Sequence, residues 1–218
     1  MLEQFAIVWS ARDLMLEGAL NTAWLATLSA IVALALGAAL AMALMSRRLL
    51  LRRVADVLVD TMRCVPFLLF AYIIYYGLPS IGLKFSSWQS GLIALIVYNT
   101  AYMAELIRAA WRSLPAETIE AGHAFGFHGF GLFRRVILPP VTLAAAPMIG
   151  NQLIQIIKDT SFLTIITVEE LTHAASVIQA KYFLPFASFV SALMLYWLMC
   201  LAVEQGVAFV GARAEARR

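Results

Sequence analysis

Long apolar stretches alternate with short polar islands along this chain, and the islands are rich in arginine. A hydrocarbon core of about 30 Å needs roughly 20 apolar residues in helical form. Five stretches come near that length: 18–45, 54–76, 88–111, 140–157 and 186–210. Between the last two lies a less regular region, 158–185. Its apolar segment 162–168 is far too short to span, and the expectation is that it re-enters or lines a cavity, where non-helical backbone survives at membrane depth. Residues 1–17 begin with Phe5, Ile7, Val8 and Trp9, followed by Arg12 and Asp13, which reads as a short amphipathic lead-in on the outer face. The pattern predicts one all-α polytopic membrane domain, 1–218, with about five transmembrane helices and no internal repeat or linker.

Composition agrees. Of 218 residues, 62% are apolar and 13% charged, against about 45–50% and about 25% in soluble domains. The net charge of +3 is no nucleic-acid signature, because the basic residues sit at span ends. Arg47, Arg48, Arg52 and Arg53 follow the first span. Arg108, Arg112, Arg134 and Arg135 bracket the island after the third, and Arg213, Arg217 and Arg218 follow the fifth. Together they are eleven of the sixteen basic residues. The positive-inside rule puts these in the cytoplasm, so the N-terminus is expected outside and the C-terminus inside. Cys64 and Cys200 lie in apolar stretches and imply no disulfide framework. The apolar run from Gly18 lacks a basic lead and exceeds a signal-peptide core, so no cleaved signal is expected.

The island at about 113–139 carries the strongest local signals. Pro115 suits a helix start, and Glu117 and Glu120 favour the positive end of that helix. Gly126 suits its stop. Phe125, Phe127, Phe130 and Phe133 follow in close order. A short helix along the membrane surface, tipped with aromatic knobs, fits a soluble partner.

Bond-making chemistry has no visible seat. A Gly-x-x-x-x-Gly-Lys-Ser/Thr phosphate loop is absent from the sequence. His123, His128 and His173 lack metal-ligand spacing, and no nucleophile–base pair stands out. No cofactor is implied.

An ionisable residue inside an apolar span costs roughly 2.5–3.5 kcal/mol on insertion scales and usually faces a cavity or partner. Asp60 and Arg63 share a helix face in the second span. Two readings fit them: an internal ion pair, or an Arg63 fork presented to a substrate carboxylate and oriented by Asp60. Pro66 would kink or open the helix just beyond. Glu105 and Arg108 in the third span read as a structural pair, with Asn99 deeper along the same span. Gln152, Gln155 and Asp159 form a stripe in the fourth, joined by Lys158, Thr160 and Ser161. Interhelical hydrogen bonding and a pathway lining both fit that stripe, and the Lys158–Ser161 tetrad suits a zwitterion.

Glu120-Ala121-Gly122, then Gly126, Val136 and Leu138-Pro139 resemble the EAA loop of ABC importer permeases: Glu-Ala-Ala, three residues, Gly, nine residues, Ile, one residue, Leu-Pro. Gly122 stands for the second Ala and Val136 for Ile. Arg63-Cys64-Val65-Pro66-Phe67-Leu68-Leu69 and Lys158-Asp159-Thr160-Ser161-Phe162, with Glu170-Leu171 beyond, resemble segments of the polar amino-acid branch, which handles histidine, glutamine, glutamate, arginine or opines. The resemblance covers nearly the whole chain. It implies a type I ABC importer permease in a bacterial inner membrane, forming half of a translocation pathway for a polar amino acid. It implies three partners: a cytoplasmic ABC ATPase dimer, a second permease subunit (identical or related) and an extracytoplasmic solute-binding protein. ATP hydrolysis would belong to the ATPase. Coupling would fall to Glu117, Glu120, Ala121, Gly122, Phe125, Gly126 and Phe127, with Gly122 admitting the partner closely. The pathway would draw on Asp60, Arg63, Asn99, Gln152, Gln155, Lys158, Asp159, Thr160 and Ser161. An ion-coupled secondary transporter fits less well, because no matched pair of interrupted spans is visible.

Overall fold

A computed structural model describes residues 2–215; Arg217 and Arg218 lie outside the described residues. Among the described residues, ten α-helices run in chain order: α1 (Leu2–Ser10), α2 (Arg12–Leu44), α3 (Leu49–Cys64), α4 (Phe67–Tyr72), α5 (Ser87–Arg112), α6 (Ala116–Ala124), α7 (Gly129–Leu132), α8 (Leu138–Thr160), α9 (Leu171–Tyr182) and α10 (Pro185–Glu215). No strand occurs among the described residues. Among the described residues, four helical segments are long and apolar enough to cross a membrane, and α3 with the segment Phe67–Ile81 makes a fifth, broken one.

Helices α2 and α5 form the most extensive pair. Small residues make this possible: Ala33, Ala41, Ala101 and Ala104 are all buried, and a Cβ on Gly37 would stand 2.6 Å from that of Met103. Helices in lipid associate by such close packing, since apolar burial alone drives little there. Helix α5 starts at a reciprocal cap. Gln89 N–H donates to Ser86 Oγ at 3.2 Å, and Ser86 N–H donates to Gln89 Oε1 at 3.0 Å. The main core joins Leu25 of α2, Phe70 of α4, Leu95 and Met103 of α5, and Ile156 of α8.

Three expectations become specific. The second span breaks where Pro66 was expected to open it: α3 and the segment from Phe67 to Ile81 meet at 103°, with Val65 and Pro66 both extended between them. Pro66 biases its predecessor away from helical geometry, so the chain turns there. The lead-in is a helix that runs almost directly into α2, and Val8 and Met15 pack against Leu171 and Ala175 of α9. Residues 161–166 wind as a tight 3₁₀ turn, with Leu163 and Ile166 buried in the core.

Candidate functional site

The expected surface helix is α6. Ser113 closes α5, and Pro115, extended at φ −59° and ψ 139°, leads straight into α6, one residue earlier than its expected place inside the first turn. The end of α6 is closed by backbone alone. Gly126 has φ +78°; its N–H donates to His123 O at 2.9 Å, and Phe127 N–H donates to Gly122 O at 3.0 Å. This is a Schellman stop, and it needs a left-handed residue where Gly126 sits. Phe125 and Phe130 are 83% and 72% exposed. Glu117, Glu120 and Ala121 are exposed as well.

Two loop residues take other places than expected. Gly122 is buried and faces the chain's own interior: a Cβ there would lie 2.6 Å from Leu132 Cδ1 and 3.1 Å from Val136 Cγ1. It seats α6 on the segment that leads to α8. Phe127 is half-buried, with the Arg135 guanidinium 5.9 Å from its ring centroid. His123 and His128, far from any metal spacing in sequence, meet with Nδ1 atoms 3.2 Å apart.

At the break, Asp60 and Arg63 do not pair. Arg63 Nη1 lies 3.9 Å from Glu105 Oε1 on α5, while Glu105 is held bidentate by Arg108 at 2.6 and 2.8 Å. Arg63 thus joins a helix-bridging cluster; Asp60 is exposed. A second device joins the same elements. Tyr98 Oη donates to Val65 O at 3.2 Å, and Tyr102 Oη donates to Arg63 O at 3.4 Å. These carbonyls lose helical partners at the break, and such orphans need acceptance from elsewhere. Spacing four apart on α5 was the available signal.

The stripe on α8 divides. Gln152 Nε2 donates to Oδ1 of fully buried Asn99 at 2.8 Å, while Asn99 Nδ2 donates to Leu95 O at 2.9 Å. This is an interhelical bond. Gln155 Nε2 donates to Asp159 Oδ1 at 2.8 Å, and Asp159 is 3% exposed. The tetrad does not gather on one surface, because successive helical residues point about 100° apart. Lys158 is exposed and Thr160 fully buried, donating to Ile157 O; Ser161 donates to Lys158 O. Lys158 and Ser161 border a cavity of about 650 Å³ together with Thr172, Tyr196 and Trp197.

Bonded to two residues of that lining, Thr172 and Tyr196, Glu170 is fully buried and caps α9: it accepts from Thr172 N–H at 2.9 Å and His173 N–H at 2.8 Å. Tyr196 Oη of α10 donates to the same carboxylate. Burial pushes the Glu170 carboxyl above its ordinary range, and the hydrogen bonds from Tyr196 and the two amides oppose that rise.

Comparison with known proteins fits this architecture. The E. coli (strain K12) glutamine transport system permease protein GlnP is 29% identical over 215 residues, 98% of this chain and 96% of GlnP. The Bacillus subtilis (strain 168) L-cystine transport system permease protein TcyB is 35% identical over 182 residues, 83% of this chain and 77% of TcyB. A chain of a crystallised amino acid ABC transporter with histidines superposes with a TM-score of 0.91 at 25% identity, covering 96% of this chain and 98% of that one. The family described as binding-protein-dependent transport system inner membrane component matches residues 22–215. That match spans most of the fold just described, and the chain belongs to this family of inner-membrane transport components.

Proposed function

We propose that the chain is the permease half of an ATP-driven importer for a polar amino acid, working with a cytoplasmic ATPase dimer, a second permease subunit and an extracytoplasmic solute-binding protein. The chain supplies pathway and coupling, and the ATPase supplies the chemistry. The substrate class rests on relatives that transport glutamine and L-cystine. The orientation, with α6 and the arginine-rich ends in the cytoplasm, rests on the positive-inside rule.

The observation that carries the coupling role is the shape of the loop. A short helix is locked by its own backbone at Gly126 and braced from beneath at Gly122, and it holds Phe125 out into solvent. Glu117, Glu120 and Ala121 share its outer surface. Exposed aromatic side chains that cost no reorganisation are good anchors for a partner pocket. A cleft on the ATPase takes Phe125, so closure of the ATPase pair carries α6, and with it α5 and α8, as a rigid unit. Lys158 and Ser161, which border the cavity, with Gln155 beside them, form the route, and Arg63 stands beside the break; Asn99, Gln152 and Asp159 hold the helices that carry it. Gly122, Gly126, Phe127 and Thr160 act by positioning.

The test is ATPase activity of the reconstituted complex with binding protein and a panel of amino acids. Wild type is compared with a Phe125→Glu, Glu120→Lys double variant. Stimulation of wild type alone by one amino acid supports the coupling assignment and names the substrate. Equal stimulation of both proteins overturns it.

A further inference from the structure

We infer that the arginine-bearing end of this bundle holds an anionic phospholipid, its acyl chains in a groove walled by α2, α5, α8 and α10. The groove has a volume of about 790 Å³, within the range of roughly 300–1,000 Å³ that suits an organic ligand. Leu34 and Ala38 of α2, Trp111 of α5, Ala145 and Leu153 of α8 and Val207 of α10 line it. Thr142 lies in the wall too, but its hydroxyl already donates to Pro139 O at 2.8 Å. Nothing in this lining asks for water or a polar solute. Met42 and Leu138, both in its lining, are exposed at the surface.

Charge fixes the occupant. The groove's lining ends at Met45, Trp111 and Phe133. Arg47 and Arg48 follow Met45, Arg112 follows Trp111, and Arg134 follows Phe133. All four arginines are exposed, and none has an anionic partner among the described residues. An apolar slot ending in unpaired guanidinium groups matches a phosphate head with chains attached; basic pockets between helices bind such heads. Trp111 stacks on Phe133 with ring centroids 5.8 Å apart. The same lipid therefore lies against the base of the docking loop. A second copy of the chain would find the slot apolar but would have to supply carboxylates for those arginines. The proposal needs no particular orientation or substrate, so its failure leaves the importer assignment standing, and the reverse holds too.

The experiment is native mass spectrometry of the solubilised complex after exchange into phosphatidylglycerol or phosphatidylcholine. Wild type is expected to retain phosphatidylglycerol in preference. Ala38→Trp and Ala146→Phe, which fill the slot from opposite walls, are expected to lose it while the complex stays assembled. Each of Arg47→Gln, Arg112→Gln and Arg134→Gln should cut the headgroup preference about fivefold. Equal retention of both lipids by wild type, or unchanged retention by an assembled slot-filling variant, overturns the proposal. So does a Thr142→Cys disulfide between two permease chains, in a background with Cys64→Ser and Cys200→Ser, because a second copy then covers the groove.

Discussion

Helices α6 and α9 are both short, and each is finished in a different way. Helix α6 is stopped by its own backbone, through Gly126 and two amide–carbonyl bonds within six residues. Helix α9 is started by a side chain, Glu170, whose carboxylate is also held by Tyr196 on α10. The first device is local and solvent-facing. The second is buried and depends on a helix that comes later in the chain. A local stop can be altered with little harm to the bundle; a buried shared cap cannot.

The largest effect is therefore expected at Glu170. Glu170→Ala strips two amides of their acceptor and leaves the Tyr196 hydroxyl buried without its strongest partner. The expected cost is about 2–4 kcal/mol, adding a lost cap to an unsatisfied buried group, read as a drop in thermal stability of the solubilised complex. A fall no larger than that of a surface variant would erase the contrast between the two helices. Next is Gly122→Trp, which forces Leu132 and Val136 aside. About 1–3 kcal/mol of overpacking is expected, seen as faster proteolysis within 113–139 while the spans stay protected. Gly126→Val imposes a left-handed conformation on a β-branched residue at about 1–2 kcal/mol. Hydrogen exchange should rise at the amides of position 126 and Phe127 and remain unchanged in α9. Tyr98→Phe removes one capture of the Val65 carbonyl, worth about 0.5–1.5 kcal/mol, a modest stability loss that Tyr102→Phe should deepen. Smallest is Phe125→Ala, which should leave stability unaltered and still abolish substrate-stimulated ATPase activity.

What could be read from sequence follows the same division. Apolar length gave α2, α5, α8 and α10, and Gly126 marked the end of α6 because only a residue free of a Cβ takes that backbone cheaply. Two other stops were invisible. Thr167 and Phe183 adopt φ of 60° and 56° with side chains that normally avoid it, so no local signal marks the ends of the 3₁₀ turn and α9. A tertiary contact holds the first, with Thr167 Oγ1 3.2 Å from Ser87 Oγ; exposed Phe183 is held by its own N–H, which donates to Gln179 O at 2.8 Å. Helical spacing correctly paired Glu105 with Arg108, yet failed for Asp60 and Arg63. A carboxylate on α5 outcompeted the neighbour on the same helix, and periodicity along one helix carries no information about the next. Gly122 misled for a related reason. Its smallness was legible, but which surface used the space was not.

The tyrosines at the break have one more consequence. Val65 and Arg63 offer their carbonyls to α5, and Arg63 reaches Glu105 on the same helix. The break is thus latched at three points to the rod that ends, at Arg112, where the docking loop begins. Under the proposed coupling role, a tug on the loop reaches the break along α5 itself, with no intermediate gear to slip, and the elbow at Pro66 is the joint that bends.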